Sequence, residues 1–358
     1  MTDTRADFEG AVCPVPLSHK DQIVIGHGSG GKMTHDLIKG VFHSRLANPA
    51  LLAGNDAATL TLPPGARLEG RLAISTDSHI VSPLFFPGGD IGRLAVSGTV
   101  NDVCTSGAIP LFLTAGFILE EGLPVETLER VAQSMADTAA EAGVEVVAGD
   151  TKVVEKGKAD GLFINTAGVG WIPAGREIGG ELARPGDVIL LSGPIGDHGI
   201  AVLAARGQLG LETNIQSDVA PLNGLIHSLL AAAPHTHVLR DPTRGGLATT
   251  LNEIAVQSNV CLWLEEAAVP VRPEVRAVCE LLGFDPLYIS NEGKLVAVVP
   301  PEEADAALAA MRSHPLGNQA VQVGEVRADP QRRALLHTSI GSTRVLDMLA
   351  GEMLPRIC

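Results

Sequence analysis

A chain of 358 residues that is 45% hydrophobic and 19% charged predicts a globular protein of two domains, and this composition excludes an intrinsically disordered chain. The formal net charge of −15 argues against nucleic acid as a partner, because binding of a phosphate backbone requires clustered Lys and Arg. Aromatic residues make up only 3% of the chain, so the cores must be built from aliphatic side chains.

Neither a targeting segment nor a membrane span is predicted. Residues 1–7 lack the apolar stretch of a signal peptide. The longest uncharged run, 103–119, is too short and too rich in Gly and Pro to cross a bilayer. The cysteines form no CxxC pair, so neither a zinc site nor a disulfide framework is indicated. We therefore expect a cytoplasmic protein with free thiols.

The predicted elements of the first half follow a leader, residues 1–21. Strands are predicted over 22–25, 71–75, 144–147 and 162–169, where short apolar runs end at polar or glycine-rich turns. A helix is predicted over 125–142, because Leu128, Val131 and Met135 recur at helical spacing and Gly143 supplies a C-terminal stop.

The pattern begins again after 171–185, a segment rich in Gly and Pro that we take as a domain boundary. Strands are predicted over 187–192, 294–299 and 320–326, and helices over 197–206, 302–313 and along the face formed by Leu247, Leu251, Ile254 and Ala255. The fold class is therefore α/β (α+β), with two mixed sheet-and-helix domains, 22–172 and 183–345, and a flexible C-terminal tail, 346–358.

A glycine-rich loop follows the first predicted strand. The spacing of Gly26, Gly31 and Lys32 nearly matches a P-loop, but Met33 stands where that motif needs a Ser or Thr to hold Mg²⁺. The backbone N–H groups of the loop, at Gly28, Ser29, Gly30 and Gly31, can still bind phosphate oxygens. Glycine-rich turns also occur without ligands, so this loop alone does not establish a nucleotide site.

Aspartates recur at predicted strand ends and in glycine-rich turns, at Asp56, Asp77, Asp102, Asp150 and Asp241. Any one of them is explained by turn or capping chemistry, and Asp241 before Pro242 could be a helix N-cap. If they converge, they repel one another unless cations lie among them. Mg²⁺ with a nucleotide would meet that requirement.

Three further residues could carry chemistry. Lys152 follows Asp150 by two residues, and Glu292 lies just before a predicted strand. Each could be a solvated surface charge, but Lys can neutralise a phosphate and a positioned Glu can act as a general base. Cys358 follows Gly351 and Pro355, which allow a sharp turn and stop a helix, so its sulfur could carry a bound group into an active site. The alternative is a frayed terminus.

Taken together, these motifs resemble the HypE family of hydrogenase-maturation factors, within the superfamily of aminoimidazole ribonucleotide synthetase, selenophosphate synthetase and thiamine-phosphate kinase. The resemblance extends from about Val24 to Cys358. It rests on His27-Gly28-Ser29-Gly30-Gly31, Asn55-Asp56-Ala57-Ala58, Ser75-Thr76-Asp77-Ser78, Asn101-Asp102-Val103, Ala148-Gly149-Asp150-Thr151-Lys152, Asp241-Pro242-Thr243-Arg244-Gly245-Gly246-Leu247 and Asn291-Glu292-Gly293-Lys294. The closing Pro355-Arg356-Ile357-Cys358 distinguishes HypE from its relatives.

The resemblance implies an ATP-dependent dehydration. A carbamoyltransferase, HypF, would place a carboxamide on Cys358, and the amide oxygen would attack the γ-phosphate of ATP. Loss of phosphate would leave a thiocyanate, whose cyano group would pass to an iron centre on the HypC–HypD complex. The implied fold dimerises through strands of its N-terminal domain and binds ATP between its domains.

The resemblance also implies roles for individual residues. Catalysis is expected from Cys358, Lys152 and Glu292. Mg²⁺ is expected on Asp56, Asp102 and Asp241. Nucleotide contacts are expected from the glycine loop and from Asp77, Asn101, Asp150, Thr151 and Arg244.

The sequence departs from the family pattern at two points, and two alternative functions stay open. The leader, with Cys13, has no assigned role, and the glycine loop lacks the reactive Cys of selenophosphate synthetases. The alternatives are a small-molecule kinase of the same superfamily and a nucleotide-binding maturation scaffold.

Overall fold

The structure is a computed structural model that describes residues 21–28, 32–52, 70–207, 213–329, 331–349, 354 and 356–358. The predicted leader up to residue 20, residues 29–31 of the glycine loop and Asp56 lie outside the described residues. None of the helices in the described part of the chain is both long and apolar enough to cross a membrane.

The first half holds six strands and five α-helices in the described residues. In chain order they are α1 (Lys32–Leu37), α2 (Ser44–Leu46), α3 (Pro49–Leu52), β1 (Arg71–His79), β2 (Phe85–Phe86), β3 (Gly89–Asp90), α4 (Ile91–Thr105), β4 (Ile109–Glu120), α5 (Val125–Ala142), β5 (Glu145–Val154) and β6 (Leu162–Ile172). A 3₁₀ turn, Ile25–Gly28, precedes α1, and a π-helical segment, Ile38–His43, joins α1 to α2.

Four of these strands form one sheet in the order β1-β6-β4-β5, antiparallel except for the β4–β5 pair. Helix α4 packs against β1, β4 and β6, and α5 packs against α4. No described residue of this chain packs over the β1 side of the opposite face of the sheet. There Leu72, Ile74 and Ile118 are 57%, 73% and 43% exposed, because successive side chains of a strand point to opposite faces.

The second half holds seven strands and five α-helices in the described residues. They are β7 (Val188–Leu191), α6 (Asp197–Ala205), α7 (Asn223–Ala232), β8 (Val238–Arg240), α8 (Gly246–Ser258), β9 (Cys261–Glu265), α9 (Pro273–Leu282), β10 (Val296–Val299), α10 (Ala304–Ser313), β11 (Val321–Arg327), β12 (Ala334–His337) and β13 (Thr343–Leu346). All seven strands join one sheet, ordered β13-β12-β9-β11-β7-β10-β8, in which only β9 and β12 pair in parallel.

Helix α4 connects the two halves. The Asp90 side chain caps its N-terminus by accepting from the backbone N–H groups of Gly92 and Arg93. Near its C-terminus, the buried Asn101 amide donates to the carbonyl of Ala220, and its oxygen accepts from the N–H of Leu222. The helix also packs against α7 and β8 of the second half. One hydrophobic cluster therefore continues from the first half into the second.

The helix predicted over 125–142 is confirmed at both ends, and Gly143 ends it in the left-handed conformation with φ 68°. The strand predicted over 22–25 is wrong, because among the described residues Gln22 makes an isolated bridge to Pro124 and the chain then turns into the 3₁₀ segment. The other predicted strands exist, but β1 and β5 run on to His79 and Val154. The aspartates that follow the predicted strands 71–75 and 144–147 therefore lie inside β1 and β5.

Candidate active site

Four acidic side chains come together where the two halves meet. Asp77 lies within β1, Asp102 on the last turn of α4, Asp241 directly after β8, and Glu292 in the segment before β10. The expectation that all the aspartates lie at strand ends or in turns is thus wrong for Asp77 and Asp102, and also for Asp150 inside β5. The N-cap alternative for Asp241 is also wrong, because the N-cap of α8 is Gly245.

The electrostatics show that these carboxyl groups crowd one another. Burial, and then the charge of Asp102, raise the pKa of Asp241 to about 7. Burial raises the pKa of Asp102, and the charge of Asp77 raises it further, although a 2.8 Å hydrogen bond from the Ser75 hydroxyl opposes the shift. Burial and the charge of Asp241 hold the pKa of Glu292 well above its usual range.

Glu292 is the most enclosed member of the group. It is 3% exposed, and its Oε1 has no hydrogen-bond partner among the described residues. Its backbone N–H donates to Asp218 Oδ1 over 3.0 Å, and Asp218 forms a 3.2 Å ion pair with Lys294. A Cβ at Gly293 would lie 1.7 Å from the carbonyl oxygen of Asp218, so only glycine permits this approach.

Arg244 brings a positive charge to the group and contacts Cys358. Its Nε donates to Cys358 Sγ over 3.4 Å. Burial, and then the charge of Glu292, raise the pKa of the Cys358 thiol to about 12, while Arg244 acts in the opposite direction. The structure therefore places the predicted sulfur carrier beside Glu292 and Arg244.

The end of the predicted mobile tail is held in place in this structure. The N–H of Ile80 donates to the carbonyl of Cys358, and that of Ser82 to the carbonyl of Arg356, both over 3.2 Å. Ile357 between them is 2% exposed and belongs to the main hydrophobic cluster. The tail end thus lies along the segment that follows β1.

Lys152 and Asp150 lie on β5 and form a 2.9 Å ion pair, with both side chains largely exposed. The hydrogen bond from Lys152 lowers the pKa of Asp150. Both residues line a cavity of about 380 Å³ together with His79 and Ile80. Lys152 therefore lines the same cavity as Ile80, whose N–H donates to the carbonyl of Cys358. The ion pair of Lys152 is with Asp150 and not with Glu292.

A second cavity, of about 290 Å³, lies beside β5. Its lining includes Asp150 and Thr151, together with the aromatic rings of Phe42 and Phe117. Asn101, by contrast, uses its amide to tie α4 of the first half to the backbone of Ala220 and Leu222 in the second half. Its predicted contact with a nucleotide stays a prediction.

Sequence reasoning did not identify His79, Asp218 or His198 as residues of this region. His79 is 1% exposed, its Nδ1 has no partner in the described part of the chain, and its Nε2 lies 3.7 Å from Asp77 Oδ2. The one sequence signal for His79 was its spacing, because a residue two positions after Asp77 in a strand lies on the same face of that strand. Asp218 and His198 stand in no motif.

The acidic group suits a hard cation. Among the described residues, however, no three His, Cys, Asp or Glu side chains already stand close enough to form a metal centre. The mutual repulsion of Asp77, Asp102 and Asp241 and the unpartnered Glu292 Oε1 fit a divalent ion with oxygen ligands, bound together with phosphate groups.

Comparison with known proteins identifies the family. Residues 54–172 match the N-terminal domain of AIR synthase related proteins, and residues 184–336 match their C-terminal domain. Carbamoyl dehydratase HypE of Cupriavidus necator is 56% identical over 344 residues, which cover 96% of this chain and 97% of that protein. The chain belongs to the HypE family. HypE of Escherichia coli K12 is 50% identical over 339 residues, covering 94% of this chain and 100% of that protein.

Solved structures agree with this assignment to HypE. A HypE structure in complex with ATP superposes with a TM-score of 0.89 at 50% identity, covering 94% of this chain and 99% of that one. HypE in a HypE–HypF complex gives a TM-score of 0.76 at 48% identity, covering 87% and 99%. A thiamine-monophosphate kinase from Stenotrophomonas maltophilia, at 21% identity and a TM-score of 0.62 over 86% and 96%, shares the fold alone.

Proposed function

We propose that this chain is an ATP-dependent carbamoyl dehydratase that converts an S-carboxamide on Cys358 to an S-thiocyanate. The product would supply a cyanide ligand to the iron centre of a [NiFe]-hydrogenase. The observation that carries the proposal is the position of Cys358 Sγ, 3.4 Å from Arg244 Nε and next to Glu292, where the halves meet. A HypE structure with ATP, at 50% identity, supports nucleotide use by this chain.

The reaction balances as carboxamide plus ATP giving thiocyanate, ADP, hydrogen phosphate and one proton. The amide oxygen attacks the γ-phosphorus of ATP and displaces ADP, which turns a poor leaving group into a good one. Both protons then leave the amide nitrogen, and the C–O bond breaks as phosphate departs. Glu292 would take one of these protons, because a carboxylate with a raised pKa is a stronger base.

Lys152 and Arg244 would assist the reaction. Arg244 fixes the sulfur and balances charge near Glu292. Lys152 lines the cavity next to Ile80 and could neutralise a phosphate there or assist deprotonation of the amide. The burial of Ile357 and Glu292 excludes water, which would otherwise hydrolyse a phosphorylated carboxamide.

Mg²⁺ would be held by Asp56, Asp102 and Asp241, and when bound it would offset the negative charge of the phosphates. Asp77, Asp150, Thr151 and the glycine loop would contact the nucleotide. The cavity lined by Phe42 and Phe117 offers flat apolar surfaces for a base beside Asp150 and Thr151.

The partners follow from the same chemistry. A HypE–HypF complex at 48% identity supports HypF as the source of the carboxamide, and the HypC–HypD complex would accept the cyano group. The uncovered apolar sheet face with Leu72, Ile74 and Ile118 would be the surface of a homodimer. The free thiols at Cys104, Cys261, Cys279 and Cys358 fit the reducing cytoplasm. The domain division at 22–172 and 183–345 is part of this proposal.

Mass spectrometry of the C-terminal peptide tests the proposal. Cys358 would be carbamoylated by HypF or with cyanate, the protein desalted, and ATP with Mg²⁺ then added. We expect the carboxamide to lose one water only when ATP is present. An unchanged adduct, with ATP still hydrolysed, would instead favour a small-molecule kinase of the same superfamily.

Matched variants assign the base. Glu292→Gln and Lys152→Ala should each still accept the carboxamide but dehydrate it about a hundredfold more slowly, a usual loss for a missing proton-transfer group. The exposed Glu302→Gln and Lys156→Ala are the controls. Full dehydration by Lys152→Ala would remove Lys152 from the mechanism.

A further inference from the structure

Both halves of the molecule form hydrogen bonds with the backbone of the tail end. The first half provides the N–H groups of Ser82 and Ile80, which donate to the carbonyls of Arg356 and Cys358. The second half provides His198 Nε2, 2.8 Å from the carbonyl oxygen of Ile357, and Arg206 Nη2, 2.9 Å from that of Arg356. We call Ile80, Ser82, His198 and Arg206 the tail seat.

His198 is fixed in one orientation within the seat. The carbonyl of Ile357 can only accept, so Nε2 must carry the ring proton, and Nδ1 then accepts from the Ser217 hydroxyl over 2.8 Å. The ring is fully buried and meets the Phe86 ring edge to face at 5.4 Å. Ser217 is itself tied to the segment after β2 through its N–H bond to the carbonyl of Pro87.

Arg206 bonds both to the tail and to the segment that follows β1. Its Nε donates to the carbonyl of Ser82 over 3.0 Å while Nη2 holds Arg356. The arginine therefore links the tail to the segment after β1 that the tail is hydrogen-bonded to. Ile357 completes the anchorage, because its side chain is 2% exposed.

We propose that His198, oriented by Ser217, and Arg206 are positioning residues that set the balance between a seated and a released tail. The inference rests on the proposed function, in which Cys358 must leave the site to be carbamoylated and return to it to be dehydrated. The side chains of the seat bind backbone carbonyls and not the sulfur. The contacts of the seat therefore do not depend on whether Cys358 carries hydrogen, a carboxamide or a thiocyanate.

Alkylation of Cys358 by iodoacetamide, read from the mass of its peptide, measures the released fraction. A seated thiol is half-buried, hydrogen-bonded to Arg244 and poorly ionised, so the reagent reacts faster with the released tail. Loss of the His198 hydrogen bond leaves a buried carbonyl unpaired, and we expect His198→Ala to alkylate about tenfold faster. His198→Gln retains an N–H donor on a side chain of similar reach and should return toward the wild-type rate. His227→Ala, at an exposed histidine, is the matched control.

Ile357→Ala is a second variant for the case in which His198→Ala does not fold, because Ile357 lies in the tail. It should also raise the alkylation rate while leaving the circular dichroism of the folded protein unchanged, although loss of Ile357 from the main hydrophobic cluster lowers the urea midpoint. The double variant His198→Ala/Arg206→Ala should alkylate faster than either single variant and dehydrate a preformed carboxamide more slowly.

Two results would overturn the proposal. One is wild-type alkylation in both His198→Ala and Ile357→Ala. The other is equal alkylation in His198→Gln and His198→Ala, which would reduce His198 to a packing residue. Alkylation needs neither ATP nor a partner, so the expected shifts without any dehydration would support the seat and count against the dehydratase.

Discussion

Replacing Asp241 with Asn should stabilise the metal-free protein above neutral pH, because the substitution removes a charge that its neighbours oppose. The pKa of Asp241 is raised to about 7, against about 3.9 for an unfolded Asp. At about 1.4 kcal/mol per pKa unit, the ionised carboxylate destabilises the fold by roughly 4 kcal/mol. Asp241 is half-buried, so solvent screening reduces the expected gain to roughly 2 kcal/mol.

The sign fixes the pH window. A carboxyl whose pKa is raised on folding contributes its full stability below the unfolded pKa, and that contribution is lost as pH rises through the folded value. The advantage of Asp241→Asn should therefore be small near pH 4.5, grow up to about pH 7 and stay constant above it. Added Mg²⁺ should stabilise the wild type more than Asp241→Asn, since the ion would bind the ionised carboxylate.

Urea unfolding in EDTA at several pH values, with the exposed Asp137→Asn as the control, measures this difference. Equal stability of Asp241→Asn and wild type at pH 7.5 would refute the crowding of the acidic group. So would an advantage of the same size at pH 4.5, because it could not come from titration.

Ile74→Glu should turn a homodimer into a monomer in sedimentation experiments, because Ile74 is 73% exposed on the uncovered sheet face. Ile340→Glu, at a residue 89% exposed on the other half, should leave the mass unchanged, and a dimeric Ile74→Glu would exclude this face. Gly293→Ala should lower the free energy of unfolding by at least about 2 kcal/mol, because its Cβ would overlap the carbonyl of Asp218; an unchanged melting temperature would contradict the clash. Arg244→Ala should slow dehydration about a hundredfold in the mass assay, and Arg244→Lys should not restore it, since Lys lacks the guanidinium N–H geometry. A wild-type rate in either Arg244 variant would remove this role.

Local rules predicted those elements whose ends are marked in the sequence. The helix over 125–142 was predictable because its apolar period and Gly143 act within a few residues. The strand over 22–25 was mispredicted because an apolar run reads as a strand whether or not a partner strand lies beside it. The strand predicted over 144–147 ended too early. Asp150 and Lys152 form an ion pair with each other on the exposed face of β5, so these two charged residues can lie within a strand.

The acidic group could be predicted as residue types but not as an assembly. Asp102 was expected in a turn, and its place on a nearly buried helix depends on packing between the two halves. His198 was not identified at all, because its partners, Ser217 and Ile357, are 19 and 159 residues away in the sequence. Only the folded chain brings such distant groups together.

The position of helix α4 limits whether the two halves of this protein can be inherited separately. Its residues are buried on nearly every side, by the first sheet and α5 on one part and by α7 and β8 of the second half on another. A first half inherited without the second would leave the buried Asn101 side chain without its partners at Ala220 and Leu222. We therefore expect the two halves to be gained, lost and duplicated as a unit, even though each has its own sheet.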